Sequence, residues 1–220
     1  MLTPEEYASF LVSAGNVQRQ AERHLNSSRS QRSVIAFVSN LQAGVSRVVQ
    51  AGIERGANVA CKAGCSHCCH ARVEAMAAEV FFIARHLKER PPDEQSCLIA
   101  QLRAHVAANK VATKWGQRTA CPFLTKNLCG IYEVRPSVCR KAHSLDSGKC
   151  QEYAEEIPQD LGIAVSAEAL AMGTSNAYKK LGFNSASYEL GSAVLMALMD
   201  PSAESRWFGG EPFPLLMGEV

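Results

Sequence analysis

The sequence predicts an all-α fold, a bundle of about six helices interrupted by one long, irregular, cysteine-rich metal-binding loop. Three observations support this prediction. Apolar residues recur at helical spacing over most of the chain, no stretch alternates apolar and polar residues as a half-buried strand would, and the segment from Thr119 to Cys150 has no sustained period. That segment also carries four of the nine cysteines.

Length and composition fit one globular domain. The chain has 220 residues, of which 47% are hydrophobic and 20% charged, so a core can form without cross-links. We expect a single domain over residues 1–220, with a cysteine-cluster metal-binding module at about 61–150. The net charge of +2 favours neither a nucleic-acid nor a membrane partner. The polar start at Met1 and the shortness of the longest apolar run, Ala193 to Met199, predict a cytoplasmic protein.

Six helices are predicted from capping signals and apolar periods. The first begins at Thr3-Pro4-Glu5-Glu6, which combines an N-cap residue, a proline at the first helical position and a glutamate at the third. The others are expected from Val34 to about Gly52, from about Arg72 to Arg90, from about Asp93 to Gln117, from about Pro158 to Leu181 and from Ser185 to Met199. Cys97 is expected on the inward face of the fourth helix. The tail from Trp207 to Pro214 is expected to be an irregular strap.

The long loop from Thr119 to Cys150 contains two expected helical turns. They lie at Ile131 to Val134 and at Ser137 to Lys141, and Pro136 starts the second. A connection of this length inside a compact domain is uncommon unless it is functional, disordered or pinned to the rest of the fold. Four cysteines bound to metal would pin it.

The cysteines are the main functional signal, because eight of the nine fall into two groups of four. In a reducing compartment, clustered thiols indicate metal or redox chemistry rather than disulfides. Thiolates suit zinc, iron and iron–sulfur clusters. The candidate metal ligands are Cys61, Cys65, Cys68, Cys69, Cys121, Cys129, Cys139 and Cys150.

The sequence leaves the arrangement of these ligands open. Adjacent Cys68 and Cys69 cannot easily bind one ion in relaxed geometry, so they point to two sites, or one of them packs while the other binds. Eight thiols could form two four-cysteine zinc sites or one cubane cluster with thiols to spare, and a histidine at 67, 70 or 143 could replace a cysteine. Cys97 is interpreted as a structural thiol.

Two other interpretations of the first group are weaker. The spacing of Cys61, Cys65 and Cys68 is that of the radical S-adenosylmethionine signature, and Cys65 with Cys68 has the spacing of a thioredoxin-type pair. Both motifs belong beside strands, whereas helices are predicted on both sides of this group.

The second group lies in a basic region. Between Lys110 and Cys150 only Glu133 and Asp146 are acidic, whereas eight residues are basic: Lys110, Lys114, Arg118, Lys126, Arg135, Arg140, Lys141 and Lys149. Cations beside thiols lower their pKa and offset the charge of a thiolate-rich site, although a solvated basic face is an equal interpretation. Nucleic-acid binding is disfavoured because Trp115, Phe123 and Tyr132 are the few aromatics available to stack on bases.

The cysteine pattern resembles a known family. Cys61-Lys-Ala-Gly-Cys65-Ser-His-Cys68-Cys69, followed by Cys121-Pro-Phe-Leu and by Cys129-Gly-Ile-Tyr-Glu-Val-Arg-Pro-Ser-Val-Cys139-Arg140, resembles the YkgJ-like cysteine-cluster (CxxCxxCC) family, a zinc- or iron-chelating module. The likeness covers about residues 61–150, and the first spacing departs from the family pattern by one residue. Some larger relatives are flagellin lysine N-methylases, for which the resemblance implies an iron–sulfur cluster and methyl transfer.

The resemblance leads to three hypotheses. The first is a cytosolic metal-binding protein that holds iron, as an iron–sulfur cluster, with zinc as the alternative. The second is a metal-dependent enzyme that modifies protein side chains, such as a lysine N-methylase-like protein, with a cleft lined by Arg140 and His143. The sequence contains no glycine-rich nucleotide loop, so methylase activity does not follow from the cysteine motif alone. The third is a structural or adaptor protein in which zinc staples the loop.

Arg140, next to Cys139, is the residue predicted to touch a cofactor or a substrate anion. Tyr132 and Arg135 are assigned structural roles. Catalytic residues are not assigned, and a protein substrate or partner is left open.

Overall fold

The structure is a computed structural model that describes residues 2–111 and 119–213, with side chains described for 2–109 and 119–213. It is almost entirely helical, which confirms the predicted class. The helices are α1 (Pro4–Ser27), α2 (Gln31–Ala36), α3 (Val38–Glu54), α4 (Ala77–Lys88), α5 (Pro92–Val111), α6 (Ser137–Lys141), α7 (Ser147–Gln151), α8 (Leu161–Lys180), α9 (Leu190–Met199) and α10 (Ala203–Phe208). Four short strands accompany them: β1 (Glu74–Met76), β2 (Leu124–Thr125), β3 (Leu128–Cys129) and β4 (Ser187–Glu189).

Local capping explains where the longest helices begin. The Thr3 side chain accepts a hydrogen bond from the backbone N–H of Glu6, and Glu6 accepts one from the backbone of Thr3, so the predicted capping box is present. Asp160 starts α8 in the same way, because its carboxylate accepts the N–H of Ile163 at 2.8 Å. These bonds satisfy N–H groups that the first helical turn leaves without partners.

Two groups of three helices form the two halves of the bundle. On one side α8 packs along α1 and α3, and on the other α9 packs between α4 and α5. The contact of α1 with α8 is close at Gly173, where a Cβ would lie 2.5 Å from the carbonyl oxygen of Ala14. The central position predicted for the helix with the widest apolar surface is confirmed, because Val80, Ile83 and Leu87 of α4 are fully buried.

Several predicted boundaries are wrong. The helix expected from Val34 is divided at Phe37 into α2 and α3. The helix expected from Arg72 begins only at Ala77, because residues 74–76 form β1, which pairs antiparallel with β4 in the register Glu74↔Glu189. The same pairing delays the helix expected from Ser185 until Leu190. Strands of two or three residues are too short to show alternation in a sequence.

Two further expectations at the residue level are corrected. Cys97 is exposed rather than inward, although it lies on α5 as expected. Trp207 belongs to helix α10 rather than to an irregular strap, and its fully buried indole donates a hydrogen bond to the carbonyl of Asn184 at 2.8 Å. The expected end of the fourth helix at Gln117 and the end of the strap at Pro214 lie outside the described residues.

The cysteine-rich loop is held against the bundle by its own apolar residues. Phe123, Ile131 and Val134 are buried in the main hydrophobic cluster. The two expected helical turns are confirmed as a 3₁₀ turn at Tyr132–Val134 and as α6. β2 and β3 form a hairpin whose two connecting residues, Lys126 and Asn127, have φ values of 50° and 63°. No helix in the described part of the chain is long and apolar enough to cross a membrane.

Candidate metal centre

The first cysteine group occupies a turn and a short helix between α3 and β1. Cys61 follows the end of α3, and the backbone N–H of Cys65 donates to the carbonyl of Lys62 to close a turn. Gly64 has a φ of +82° in this turn, a conformation that residues with a Cβ rarely adopt. Cys68 and Cys69 lie in the 3₁₀ helix His67–His70.

The second group comes from four separate places in the loop. Cys121 precedes the β2–β3 hairpin, Cys129 lies on β3, and Cys139 and Cys150 lie on the short helices α6 and α7. Backbone hydrogen bonds tie this loop to the first group. The N–H of Cys121 donates to the carbonyl of Cys69 at 2.7 Å, and the N–H of Ala60 donates to the carbonyl of Ser144 at 2.8 Å.

One set of neighbouring thiols surrounds Cys61. Burial raises the pKa of the Cys61 thiol, and the nearby thiols of Cys65, Cys68 and Cys150 raise it further. Helix α7, which carries Cys150, contacts the 3₁₀ helix that carries Cys68. Three cysteines of the first group therefore lie beside one cysteine of the second. We call Cys61, Cys65, Cys68 and Cys150 the outer set, because Cys61 and Cys68 are exposed.

The other set of neighbouring thiols surrounds Cys121. Burial raises the pKa of Cys139 to about 12, and the thiols of Cys121, Cys68 and Cys129 add to the effect. Burial also raises the pKa of Cys121 to about 11, helped by Cys129 and by the carboxylate of Glu189. Cys69 lies within range of Cys121, Cys129 and Cys139. We call Cys69, Cys121, Cys129 and Cys139 the inner set, and all four are half-buried.

Cys68 and Cys69 lie where the two sets meet. The thiol of Cys68 donates a hydrogen bond to the sulfur of Cys69, which lowers the pKa of Cys69 and raises that of Cys68. Cys69 is thus the thiol of the pair that ionises more easily. Because thiolates rather than thiols bind metal, ligation by the raised-pKa thiols requires a metal ion to displace their protons.

Glu79 positions the helix that carries Cys139. Its carboxylate is 2% exposed and accepts the backbone N–H of Ser137, at the start of α6, at 2.6 Å. Its other oxygen accepts the N–H of Met76 at 3.3 Å, at the start of α4. Burial raises the pKa of Glu79, and these backbone donors counter the effect. A glutamate at the third position of α4 is a capping signal in the sequence and indicates the bond to Met76. Nothing local in the sequence indicates the bond to Ser137, which lies 58 residues away.

The guanidinium of Arg140 forms hydrogen bonds with other residues of the chain. It donates to the backbone carbonyls of Glu133 and Arg135. It also donates to Ser46 and Gln42 of α3 at 3.2 and 3.4 Å, so it connects the loop with the bundle. The predicted contact with a cofactor stays a prediction.

Arg135 and Arg140 each interact with a thiol, Arg135 with Cys68 and Arg140 with Cys139. The guanidinium carbon of Arg135 lies 3.9 Å from the centroid of the exposed Tyr132 ring, and its charge partly offsets the raised pKa of Cys68. The remaining described cations of the basic region lie elsewhere: Lys126 and Lys149 are exposed, and Lys141 pairs with Glu168 of α8. Lys114 and Arg118 lie outside the described residues, as does the side chain of Lys110.

The histidines differ in their freedom to bind metal. His143 is buried, its Nδ1 lies 2.8 Å from the carbonyl oxygen of Lys141, and its Nε2 accepts the N–H of Asp160 at 2.9 Å. Both of its ring nitrogens are therefore occupied. The Nδ1 of His70 lies 3.2 Å from the carbonyl of Ser66, to which it donates, so the Nε2 of a neutral His70 ring keeps its electron pair.

The thiols are neighbours but do not form a closed cage. Within residues 2–109 and 119–213, no three cysteine, histidine, aspartate or glutamate side chains are already grouped to hold one ion. Ligation therefore requires the thiols of a set to turn toward one another. Soft sulfur donors in sets of four are the chemistry of zinc and iron–sulfur sites.

A cavity of about 350 Å³ lies beside Cys121. Its walls include His105 and Asn109 of α5 and Glu189 at the end of β4, residues that the sequence does not single out. They come from distant segments, so no local pattern joins them. A second cavity, of about 330 Å³, lies beside Glu79 and Ser137. Neither cavity is lined by Arg140 or His143.

The fold and the thiol sets define a helical protein with a cysteine-rich segment. Residues 60–159 match the CxxCxxCC family, whose description is "Putative zinc- or iron-chelating domain". This match confirms the resemblance seen in the sequence and supports chelation of zinc or iron through cysteines. Comparison with curated proteins and comparison with solved structures give no match.

Proposed function

We propose that this protein binds iron or zinc through its clustered cysteines, with an iron–sulfur cluster as the first candidate cofactor. The observation that carries the proposal is the neighbourhood of eight thiols, brought from two distant parts of the chain into an outer and an inner set.

An iron–sulfur cluster is supported by the inner set. Four half-buried thiols beside apolar Phe123 and Ile131 provide an enclosed environment, which protects a cluster from solvent. Zinc is the second candidate, supported by the even division into two sets of four, since structural zinc binds four ligands. The two candidates differ in colour and in the number of metal ions for each chain.

Of the other hypotheses, a structural role for the metal is better supported than an enzymatic one. Backbone hydrogen bonds and metal would together fix the loop against α3 and α4. Arg140 and His143, which were expected to line a catalytic cleft, instead form hydrogen bonds with other residues of the chain. A cytoplasmic location and a protein partner stay predictions.

Metal analysis of anaerobically purified full-length protein tests the proposal. An iron–sulfur protein should be brown and contain iron with acid-labile sulfide, whereas two zinc sites should give a colourless protein with two zinc ions for each chain. Cys69→Ser, in the inner set, should lower the metal content under either candidate, because it removes the thiol with the lowered pKa. Cys61→Ser should lower it only if the outer set also binds metal.

Cys97→Ser is the matched control, because Cys97 is exposed on α5 and outside both sets. It should keep the wild-type metal content. Wild-type protein that contains neither metal above background would contradict the proposal. Equal metal in Cys69→Ser and Cys97→Ser would contradict the assignment of the inner set.

A further inference from the structure

The cavity beside Cys121 has metal-binding side chains on its walls. It lies between α5, the β4–α9 junction and the segment that follows the first cysteine group. His105 and Glu189 form one wall, His70 and Arg72 another, and Cys121 of the inner set lies on a third. Imidazole, carboxylate and thiolate are the side chains that bind zinc and iron in proteins.

His105 and Glu189 form a buried pair that the fold holds in place. The Nε2 of His105 lies 3.2 Å from the carboxylate of Glu189, and each side chain is 8% exposed. The ring also lies against Gly191, where a Cβ would be 2.5 Å from the His105 Cδ2. The side-chain amide of Asn109 also lies 2.9 Å from this Nε2. Since a carboxylate only accepts, the bond to Glu189 requires the proton on Nε2, and the Nδ1 of the ring has no hydrogen-bond partner among the described residues.

Glu189 gives the cavity a buried carboxylate. Burial opposes ionisation of Glu189, but hydrogen bonds from His105 and from the backbone of Ser192 and Gly191 lower its pKa to about 2. Among the lining residues that the structure describes, Arg72 lies at the exposed rim and pairs with Glu74 at 3.3 Å. A carboxylate in a partly enclosed cavity concentrates cations from solution.

We propose that this cavity is the route by which divalent zinc or iron reaches the inner cysteine set, with His105 and Glu189 as its transient metal ligands. The inference rests on the proposed function. The pair takes up a cation in exchange for the proton it shares, and that proton leaves to solvent through the cavity mouth. Glu189 and Cys121 line the same cavity, so a cation can pass from one to the other without crossing the packed core.

Two features favour a transient site over a resident one. The cavity walls do not group three metal-binding side chains around a single position in the described part of the chain, so a cation held there keeps water ligands and leaves readily. The outer set has exposed thiols and needs no such route, whereas the inner set is half-buried.

The rate of metal release tests the route, because the path in and the path out are the same. Metal-loaded full-length protein is mixed with excess chelator, EDTA for zinc or bathophenanthroline with dithionite for iron, and release is followed with time. His105→Gln should slow release from the inner set severalfold, because the variant lacks the imidazole that would take the cation from the inner thiols. The metal content before mixing should equal that of the wild type.

A second variant does not depend on the buried pair. Ala71 is exposed and lines the cavity, so Ala71→Trp should fill it from the rim without removing a hydrogen bond. It should also slow release. His86→Gln on α4 and Ala107→Trp on the exposed side of α5 are the matched controls, because neither residue lines the cavity, and both should release metal at the wild-type rate.

Wild-type release rates in both His105→Gln and Ala71→Trp, at unchanged metal content, would overturn the route and leave the proposed function intact. Slower release in both variants but not in the controls would support it. A wild-type protein without metal would contradict the proposed function itself.

Discussion

At the residue scale, the buried Glu79 and the half-buried Arg140 hold the cysteine-bearing helices in place. Glu79 joins the first turns of α4 and α6, and Arg140 joins the loop carbonyls to α3. A buried backbone group without a partner costs about 1 to 3 kcal/mol, so each of these side chains replaces several such penalties with hydrogen bonds. The position of Cys139 therefore depends on residues that are not metal ligands.

Arg140→Ala should lower the free energy of unfolding by about 2 to 3 kcal/mol, because the carbonyls of Glu133 and Arg135 lose a charged donor. Urea unfolding of the metal-loaded protein measures this change. Lys149→Ala, at an exposed position on α7, is the control and should alter stability little. Loss of metal from Arg140→Ala at unchanged stability would instead support the contact with a cofactor predicted from the sequence.

Residue types in the sequence predict the thiols but not their neighbours. The eight candidate ligands follow from reduced, clustered cysteines, and the inward position expected for Cys97 is wrong. The apolar period around Cys97 does not distinguish a residue at the edge of a buried stripe from one just outside it, because a helical face has no sharp boundary. The pairing of His105 with Glu189 has no signal in the sequence, since 84 residues separate them.

At the element scale, helix starts are more predictable than strands. Thr3 and Asp160 act on N–H groups within three residues, so the chemistry of the cap is local and visible in the sequence. β1 and β4 pair over three residues across more than one hundred positions, and the pairing determines where α4 and α9 begin. The predicted helices therefore begin too early at both places.

Gly173→Ala should destabilise the contact of α1 with α8 by about 1 to 3 kcal/mol, because the added Cβ would lie 2.5 Å from the Ala14 carbonyl and 2.6 Å from Val17. Urea or thermal unfolding measures the loss. Gly15→Ala is a matched change on α1, where the nearest atom is the flexible end of Arg19 at 3.5 Å.

The Gly15→Ala control should be neutral or gain up to about 1 kcal/mol from helix propensity. Equal stability of the two variants would contradict the prediction, because it would show that α1 and α8 move apart at Gly173 at little cost in free energy. The comparison separates helix propensity from interhelical contact, because both changes are glycine to alanine within long helices.

At the scale of the whole molecule, the bundle and the metal segment contribute differently to stability. The main hydrophobic cluster is built mostly from α2, α4, α5, α9 and α10, with Phe123, Ile131 and Val134 as the contribution of the loop. The core is therefore large without any thiol. Besides these three residues, hydrogen bonds join the loop to the bundle, and under the proposed function bound metal would hold it further.

Removal of metal by a chelator should free residues 119–160 while most of the helical bundle stays folded. Far-ultraviolet circular dichroism should retain most of the helical signal, and limited proteolysis followed by mass spectrometry should find new cuts within that segment. Metal-loaded protein under the same conditions is the control. Loss of the whole helical signal in one transition would show that the metal holds the bundle as well as the loop and would contradict this prediction.

The sequence by itself determined the helical class, the main capped helix starts and the set of eight candidate thiols. Each follows from residues close together in the chain, where period, caps and cysteine spacing act directly. Only the tertiary structure decided which thiols are neighbours, that Arg140 donates to the carbonyls of the loop and that a cavity lined by His105 and Glu189 opens beside Cys121. These features depend on how the loop packs against the helices, and packing joins residues that no local pattern connects.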